Sequence, residues 1–371
     1  MCRINDLIKE LCPNGVVYKK LGEVCKIEKG KQLNKEQLSD DGLYPVMNGG
    51  ITPSGYWNEY NFSEDKITIS QGGASAGYIN YLTSKFWAGA HCYVVNESSD
   101  EVEYKYIYHF LKEKQNYLLS SQVGAGIPSI SLKEINGLKI PIPPLAVQDE
   151  IVRILDKFGD LEADLEAELE ARKSQYEFWR EKLLNEEYET KFLSELSTNL
   201  DNKRKPVTKS DRESGEYPYY GASGIVDYVS DYIFDDELLL VSEDGANLKA
   251  RSTPIAFSSS GKVWINNHAH VLKFNSMITQ KYVEHYLNMI DLSEYITGAA
   301  QPKLNKENLN KIKINIPSST EEQEKIVFAL ERFDSLINNI SVGLPAEIEL
   351  RRKQYEYYRN RLLSFEEVIN E

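Results

Sequence analysis

The sequence contains an internal repeat that extends over almost the whole chain of 371 residues. The stretch that begins near Pro144 and contains Gln148 returns with Gln323 at an offset of 175 residues. Further matches in the same order pair Tyr44 with Tyr217, Ser70 with Ser242, Gly73 with Gly245, Trp87 with Trp264 and His91 with His268. Two long copies predict two related domains. They argue against a solenoid, which has a shorter period and more copies.

Each copy consists of a globular part and a helical part. We place the first globular part at residues 1–142, with a short N-terminal helix, and the first helical part at 143–185. The second globular part covers 186–316, and the second helical part covers 317–371. Length alone agrees, because a chain of this size holds two to three domains at roughly 150 residues each.

Apolar residues recur every three or four positions in both helical parts, which places them on one helix face. Forty residues of helix extend about 60 Å, and so long a stripe needs a partner helix. We therefore predict an antiparallel coiled coil of the two helical parts, with a break near Pro345. The alternative is that each helix only covers its own globular part. The predicted core residues of the helical pair are Ile151, Leu155, Phe158, Leu161, Leu165, Ile326, Leu330, Phe333 and Leu336.

The globular parts mix short strands and short helices, so the predicted fold class is α+β. Apolar runs at residues 66–70 and 237–242 end in glycine loops and are typical of buried strands. Residues 104–111 and 281–287 are predicted to form short helices. Loops rich in Tyr, Asn and Gly indicate a contact surface rather than a deep pocket.

Composition excludes several classes of protein. The net charge of −14 excludes a uniformly basic coat for nucleic acid. The apolar runs are too short for a membrane helix, and the N-terminal residues do not resemble a signal peptide. The four cysteines form no CxxC pair, which favours a reduced, cytoplasmic protein. We therefore expect a cytoplasmic location and no membrane partner.

Motifs for chemistry are missing from the sequence. It has no phosphate-binding glycine loop and no amino-methyltransferase signature. His91 precedes Cys92, and His268 and His270 lie close together, but the spacing of a zinc site is not present. Because Cys92 aligns with Ala269, a thiol mechanism shared by both copies fails. We predict no catalytic residue, metal or cofactor in this chain, and we interpret His91 and His268 as core histidines or as contacts to a ligand edge.

Basic residues cluster at similar points of the two copies. Phosphate contacts set the register of a protein on nucleic acid, so these clusters are candidates for them. The alternative is a solvated loop. The candidate phosphate contacts are Lys29, Lys31, Lys203, Arg204 and Lys205.

Three stretches carry a resemblance to a known family. They are the sequence IPIPPLAVQ at 140–148, the sequence ELRRKQYEYYR at 349–359, and the N-terminal stretch 7–24. Together with two diverged globular parts between similar helical parts, they resemble the DNA-specificity subunit of type I restriction–modification systems. The resemblance covers the whole chain.

The resemblance implies two target-recognition domains in a pseudo-twofold arrangement. Each domain would read one half of a bipartite, asymmetric site in double-stranded DNA. The helices would act as a ruler and as the dock for two methyltransferase subunits, and restriction and motor subunits would join the larger complex. The chain itself would be non-catalytic. The assembled complex would be a DNA adenine methyltransferase and a site-specific endonuclease, with S-adenosylmethionine, ATP and Mg²⁺ bound by the partner subunits.

Base readout needs polar or small side chains at the edges of the DNA grooves. We expect them in loops after the predicted strands. Glu243 and Asp244 could accept hydrogen bonds from cytosine, or they could be acids that only form turns. The candidate base-reading residues are Asn48, Gln71, Ser75, Tyr220, Ser223, Glu243, Asp244 and Asn247.

Two rival functions remain at this point. A coiled-coil protein-interaction scaffold without DNA binding explains the helices, but it does not explain two repeated domains with diverged loops. A methyltransferase that acts alone is disfavoured by the missing motifs.

Overall fold

The computed structural model describes residues 2–124, 127–298 and 301–368. Packing divides the chain into unit 1, Met1–Leu165 with Ile348–Glu371, and unit 2, Glu166–Glu347. These cuts lie inside the helical parts. The predicted boundaries at 142, 185 and 316 instead lie at or next to element ends, and the division into recognition domains and spacers stays a prediction. Among the described residues, no helix combines the length and the apolar character that crossing a membrane requires.

Unit 1 is built from short strands and the helices around them. Its strands are β1 (Val17–Lys20), β2 (Cys25–Lys29), β3 (Tyr44–Met47), β4 (Tyr56–Trp57), β5 (Lys66–Ser70), β6 (Ile79–Leu82), β7 (Trp87–Ala88), β8 (Cys92–Ser98) and β9 (Lys139–Ile142). The helices that begin here are α1 (Cys2–Leu11), α2 (Leu21–Val24), α3 (Tyr104–Ser120), α4 (Leu132–Asn136) and α5 (Leu145–Leu184), of which α5 ends in unit 2.

Unit 2 repeats this construction. Its strands are β10 (Glu189–Phe192), β11 (Ser197–Asn199), β12 (Ser214–Gly221), β13 (Gly224–Val229), β14 (Phe234–Asp235), β15 (Leu238–Ser242), β16 (Ala256–Ser259), β17 (Lys262–Ile265), β18 (Ala269–Phe274) and β19 (Lys313–Ile316). Its helices are α6 (Leu193–Leu196), α7 (Asn247–Ala250), α8 (Met277–Met289), α9 (Lys306–Asn310) and α10 (Thr320–Asn338), followed by α11 (Leu344–Leu362), which ends in unit 1.

The strand order confirms the internal repeat. The order β2-β8-β5-β6 in unit 1 corresponds to β11-β18-β15-β16 in unit 2. The second sheet is β4-β3-β7 in unit 1 and β13-β12-β17-β14 in unit 2, and each contains one parallel pair, β3 with β7 or β12 with β17. The predicted strands at 66–70 and 237–242 are β5 and β15, and both are buried along nearly their whole length, which explains their apolar runs.

The predicted short helices are α3 and α8, and both extend beyond their predicted ends. Helix α3 buries Tyr106, Ile107, Phe110 and Leu111 against the first sheet of unit 1. Helix α8 buries Tyr282, Val283, Tyr286 and Leu287, which have the same spacing. Each fully buried apolar side chain contributes about 1.5–3 kcal/mol, so this one face fixes each helix on its sheet.

The helical parts pair within each unit. In unit 1 the ring of Phe158 stacks on Tyr358 at 5.5 Å, and Glu162, one turn later, binds Arg352 at 2.5 Å. The partner residue number falls as the α5 number rises, so α5 and α11 are antiparallel there. In unit 2, α5 contacts α10, with Tyr176 and Phe333 separated by 6.3 Å between ring centroids.

Seven of the nine predicted core residues of the helical pair are buried or half-buried, and the other two are exposed and therefore wrong. Phe158 and Phe333 contact the other helical part, and that role stays a prediction for the remaining five. Ile151, Leu155, Ile326 and Leu330 are buried, while Phe158, Leu165 and Phe333 are half-buried. Leu161 is 48% exposed and Leu336 is 38% exposed. The reason is the three-residue step from Phe158 and Phe333, which at 3.6 residues per turn moves Leu161 and Leu336 about 60° around the helix, to the edge of the apolar stripe.

The predicted break in the second helical part is confirmed, but it begins before Pro345. Helix α10 ends at Asn338 and α11 begins at Leu344. Pro345 therefore lies in the first turn of α11, where its missing N–H breaks no helical hydrogen bond.

Candidate nucleic-acid interface

A short turn that contains a histidine connects several loops of unit 1. It covers residues 88–92, between β7 and β8, and we call it the histidine turn of unit 1. The carbonyl of Ala88 accepts a hydrogen bond from the N–H of Lys31 (2.9 Å), and the carbonyl of His91 accepts from the N–H of Gln71 (2.8 Å). The loop after β2 that contains Lys31 (the lysine loop) and the loop after β5 that contains Gln71 (the strand-end loop) therefore meet at this turn.

Unit 2 has the same turn with the same bonds. The histidine turn of unit 2 covers residues 265–269. The carbonyl of Ile265 accepts from the N–H of Lys205 (3.3 Å), and the carbonyl of His268 accepts from the N–H of Glu243 (2.9 Å). The repeat therefore preserves backbone contacts between segments that lie tens of residues apart.

A third segment joins the group in unit 1. The N–H of Gly73 donates to the carbonyl of Pro128 (2.9 Å), and the N–H of Ile130 donates to the carbonyl of Gln71 (2.9 Å). Gly73 has a φ of +85°, in the left-handed region that glycine adopts without strain. The glycine after β5 is thus needed for the shape of this loop.

The equivalent bonds exist in unit 2. The N–H of Gly245 donates to the carbonyl of Pro302 (3.1 Å), and the N–H of Leu304 donates to the carbonyl of Glu243 (2.8 Å). Gly245 has a φ of +106°. We call the four joined segments of each unit its loop cluster. They are the lysine loop at Lys31 or Lys205, the strand-end loop at 71–73 or 243–245, the histidine turn, and the proline loop at 128–130 or 302–304.

A tryptophan in each unit donates a hydrogen bond to the backbone of the lysine loop. The indole N–H of Trp87 donates to the carbonyl of Lys31 (3.0 Å), and that of Trp264 donates to the carbonyl of Lys205 (2.7 Å). The two lysine side chains are exposed, as are those of Lys29 and Lys203. Their placement in fixed loops fits a phosphate contact, which stays a prediction for these four residues.

Arg204 is placed differently from its lysine neighbours. Its side chain is 13% exposed, and it donates to Glu243 (2.6 Å) and to the carbonyl of Ala269 (2.8 Å). It also lies 3.5 Å from the carboxylate of Asp201. The interface prediction reserved Arg204 for a phosphate and Glu243 for cytosine. In the structure Arg204 and Glu243 bind each other, because the segment after β11 and the end of β15 both lie beside the start of β18.

His270 completes this buried group. Its Nδ1 lies 2.6 Å from Asp201, and its Nε2 lies 2.7 Å from the carbonyl of Leu304. Burial alone raises the pKa of Glu243, but the hydrogen bond from Arg204 and nearby positive charges outweigh it, so this pKa lies below its ordinary value. Burial also raises the pKa of Asp201, but the hydrogen bond and the charge of His270 outweigh it, so the pKa of this carboxyl again lies below its ordinary value.

This buried group also contains three residues of the types that bind metal ions. Asp201, Glu243 and His270 offer ligand atoms that lie within 4.8 Å of one another. Arg204 already binds both carboxylates, and Lys303 lies 3.2 Å from Glu243. The three residues therefore have the contacts of a charge-compensated structural network.

Asp244 and His268 form a second, exposed pair. Nδ1 of His268 lies 3.0 and 2.9 Å from the two carboxylate oxygens of Asp244. The side chain of His268 is 52% exposed and that of Asp244 is 34% exposed. Of the two interpretations of His268, the core histidine is wrong, since half of the side chain is open to solvent. His91 is exposed as well.

The remaining base-reading candidates in unit 2 differ in the exposure and the hydrogen bonding of their side chains. Asn247 uses its amide within its own loop, donating to the carbonyl of Thr253 (2.9 Å) and accepting from Ser252 (3.0 Å). Tyr220 is half-buried and stacks on Phe257 at 6.0 Å, and burial raises the pKa of its hydroxyl. Ser223 is exposed between β12 and β13.

The candidates in unit 1 are half-buried. Asn48 accepts from the N–H of His91 at 3.5 Å, so it belongs to the loop cluster of that unit. The buried Oε1 of Gln71 has no hydrogen-bond partner among the described residues. Ser75 lies in the glycine-rich loop after β5. Their roles in base readout stay predictions.

Sequence reasoning missed the loop cluster as a unit, although its signals were present. The repeated tryptophans and histidines had been aligned, and the cluster shows what the alignment means: Trp87 and Trp264 hold lysine loops, and His91 and His268 lie in matching turns. Histidines and tryptophans that are kept in both copies, among residues that differ, could have indicated this cluster from the sequence.

A family model described as the type I restriction modification DNA specificity domain matches the chain twice, at residues 13–171 and 185–350. A specificity subunit of a type I restriction enzyme from Escherichia coli is 31% identical, and the match covers 98% of both chains. A putative type I restriction enzyme specificity subunit from Haemophilus influenzae is 39% identical over 51% of this chain and 49% of its own length.

Solved structures share the fold. The S subunit of a type I restriction–modification system from M. genitalium superposes with a TM-score of 0.63 at 19% identity, covering 95% of this chain and 97% of its own. A chain from a study of complex assembly and conformational transition of the type I system gives 0.58 at 14% identity, covering 95% and 98%.

Proposed function

Because this chain belongs to the type I restriction–modification DNA specificity family, and is therefore the DNA-recognition subunit of such a system, we propose that each of its two loop clusters reads one half of a bipartite site. The observation that supports this most is the repeated cluster itself. Both copies keep the backbone bonds around the histidine turn, but they carry different side chains there. A constant frame with diverged side chains suits two readers of different sequences.

The two clusters divide the work of recognition. Lys31 and Lys205 occupy equivalent loops and supply sequence-independent phosphate contacts. The loops after β5 and β15 carry Gln71 and Ser75 in unit 1 and Asp244, paired with His268, in unit 2, and we assign base recognition to these loops. Because these side chains differ, the two half-sites differ, and the complete site is asymmetric.

Exposed leucines on the helices fit a dock for partner subunits. Leu161 of α5 and Leu336 of α10 are equivalent in the repeat, and both are exposed in the isolated chain. Two equivalent apolar positions suit two copies of a methyltransferase subunit. Replacing either leucine with Arg should remove one methyltransferase subunit from the complex, as measured by its mass in solution. An unchanged mass for both variants would contradict this dock.

The chemistry is assigned to the partners. In this proposal the chain positions the complex on DNA in the cytoplasm, and the cofactors and catalytic residues belong to the partner subunits. The methyltransferase subunits bind S-adenosylmethionine and methylate adenine, and the restriction subunits use ATP and Mg²⁺ to move and cut DNA.

A domain exchange tests the proposal. Residues 17–142 are replaced by the corresponding segment of another family member, and the variant is assembled with its methyltransferase partner. Methylated adenines are then mapped by single-molecule sequencing. We expect one half of the methylated motif to change and the other half to persist. A change in both halves would contradict separate readers.

The rival scaffold function is tested with the unaltered complex. A gel-shift assay with a mixed library of duplexes should select one bipartite sequence. Binding without any sequence preference would favour the scaffold.

A further inference from the structure

We propose that His268 reads a base in the half-site addressed by unit 2, with its ring oriented by Asp244. This inference rests on the proposed function and names a specificity-determining residue within it. No corresponding pair exists in unit 1, where glycine occupies the position of the aspartate.

The pair leaves one ring nitrogen for a ligand. Nδ1 of His268 lies within 3.0 Å of both carboxylate oxygens of Asp244, so this nitrogen donates to the acid. Nε2 is on the opposite side of the ring. The side chain is 52% exposed, and we assign Nε2 to the contact with DNA because Nδ1 is engaged by Asp244.

Backbone bonds on both sides hold the pair in place. The N–H of His268 donates to the side chain of the buried Asn266 (2.8 Å), and its carbonyl accepts from Glu243 (2.9 Å). Glu243 is in turn fixed by Arg204 (2.6 Å). A ring held this way loses little conformational freedom on binding, which favours selective contacts.

The chemistry of Nε2 matches the edge of a base pair. An imidazole nitrogen makes one directed hydrogen bond, as a donor or an acceptor according to protonation. The major groove presents a distinct pattern of donors and acceptors for each base pair, so one directed bond discriminates between bases. A phosphate would accept the same bond from any sequence, and the experiment separates the two.

Unit 1 provides an internal control. His91 occupies the equivalent place in its histidine turn, and Gly72 replaces Asp244. A Cβ built on Gly72 would lie 3.7 Å from Nδ1 of His91, so the space that the aspartate occupies in unit 2 is open in unit 1. Substitutions at Asp244 should therefore affect one half-site only.

The test uses the complex with its methyltransferase partner. His268→Asn, His268→Gln and Asp244→Ala are compared with the unaltered complex and with His91→Asn. Asparagine places its amide near the position of Nδ1, whereas glutamine reaches the position of Nε2. Methylation rates are measured on the preferred duplex and on duplexes altered singly at each position. Thermal unfolding and assembly of each variant are checked in parallel.

We expect His268→Asn to reduce discrimination at one base position, in one half-site, by at least about fivefold. His268→Gln should retain more discrimination than His268→Asn at that position, and Asp244→Ala should weaken the same position. His91→Asn should leave this half-site unchanged.

Three results would overturn the inference: full discrimination in His268→Asn, an equal loss on every sequence as expected for a phosphate contact, or a loss in both half-sites. If the unaltered complex methylates without any sequence preference, the proposed function itself fails, and the two failures are thus distinguishable.

Discussion

The guanidinium of Arg204 lies 2.6 Å from the carboxylate of Glu243, and both side chains are largely buried, at 13% and 12% exposure. Replacing Arg204 with Ala removes the main positive partner of Glu243, while Asp201 keeps its contact with His270. Breaking a buried pair in this way costs about 3–5 kcal/mol. Thermal unfolding should therefore show a strong loss of stability. The neighbouring Lys203→Ala, at an exposed position, should change stability by no more than about 0.5 kcal/mol. Equal stability of both variants would contradict the network.

Lys31 and Lys205 should contribute to affinity without contributing to sequence preference. Each phosphate contact releases about 0.9 counterion, so each alanine variant should reduce the salt dependence of log K by about 0.9. The measurement is DNA binding by the complex over a range of salt concentrations. Lys325→Ala on α10 is the control and should keep the slope. A change in the recognised motif in either lysine variant would contradict a phosphate role.

His285 should make unit 2 sensitive to acid. Burial lowers the pKa of this histidine to about 4 from 6.5, so it is neutral in the folded protein at neutral pH. Its contribution to stability is complete above pH 6.5 and is lost as the pH falls toward 4, by about 3 kcal/mol in total. His285→Gln should therefore unfold less readily than the unaltered chain as the pH decreases through this range, relative to pH 8. Parallel pH curves for the two proteins would show that the histidine is not buried.

Gly159 should be replaceable with a gain in stability. It lies within α5, and a Cβ at this position meets no atom within 4 Å. Alanine stabilises an exposed helix position relative to glycine by about 0.5–1 kcal/mol. Gly159→Ala should therefore raise the melting temperature without changing the methylated motif. A decrease would indicate a packed environment around this residue.

An insertion near the same residue tests the helix as a ruler. Four added residues lengthen a helix by about 6 Å. If α5 sets the distance between the half-sites, the insertion should change the length of the unread spacer or prevent assembly. Mapping of methylated sites gives the answer, and an unchanged spacer would contradict the ruler.

The sequence alone determined the repeat, the α+β class, the buried strands and the helical parts. These features follow from local patterns. Apolar runs, glycines after strands and a three-to-four spacing act on residues that are near one another in the chain. Ile151 and Leu330 were assigned to the helical core on this basis, and both are buried.

Only the tertiary structure decided which polar side chains are free. Arg204 and Glu243 are 39 residues apart, and Asp244 and His268 are 24 residues apart. Charge shows what a side chain can bind, but the fold determines which partners lie within hydrogen-bonding distance of it. Arg204 is bound to Glu243 for this reason, whereas Lys203 and Lys205 beside it are exposed. In the same way, the exposure of Leu161 and Leu336 depends on how wide a face of each helix is covered by its neighbours, which a spacing of three or four residues does not specify.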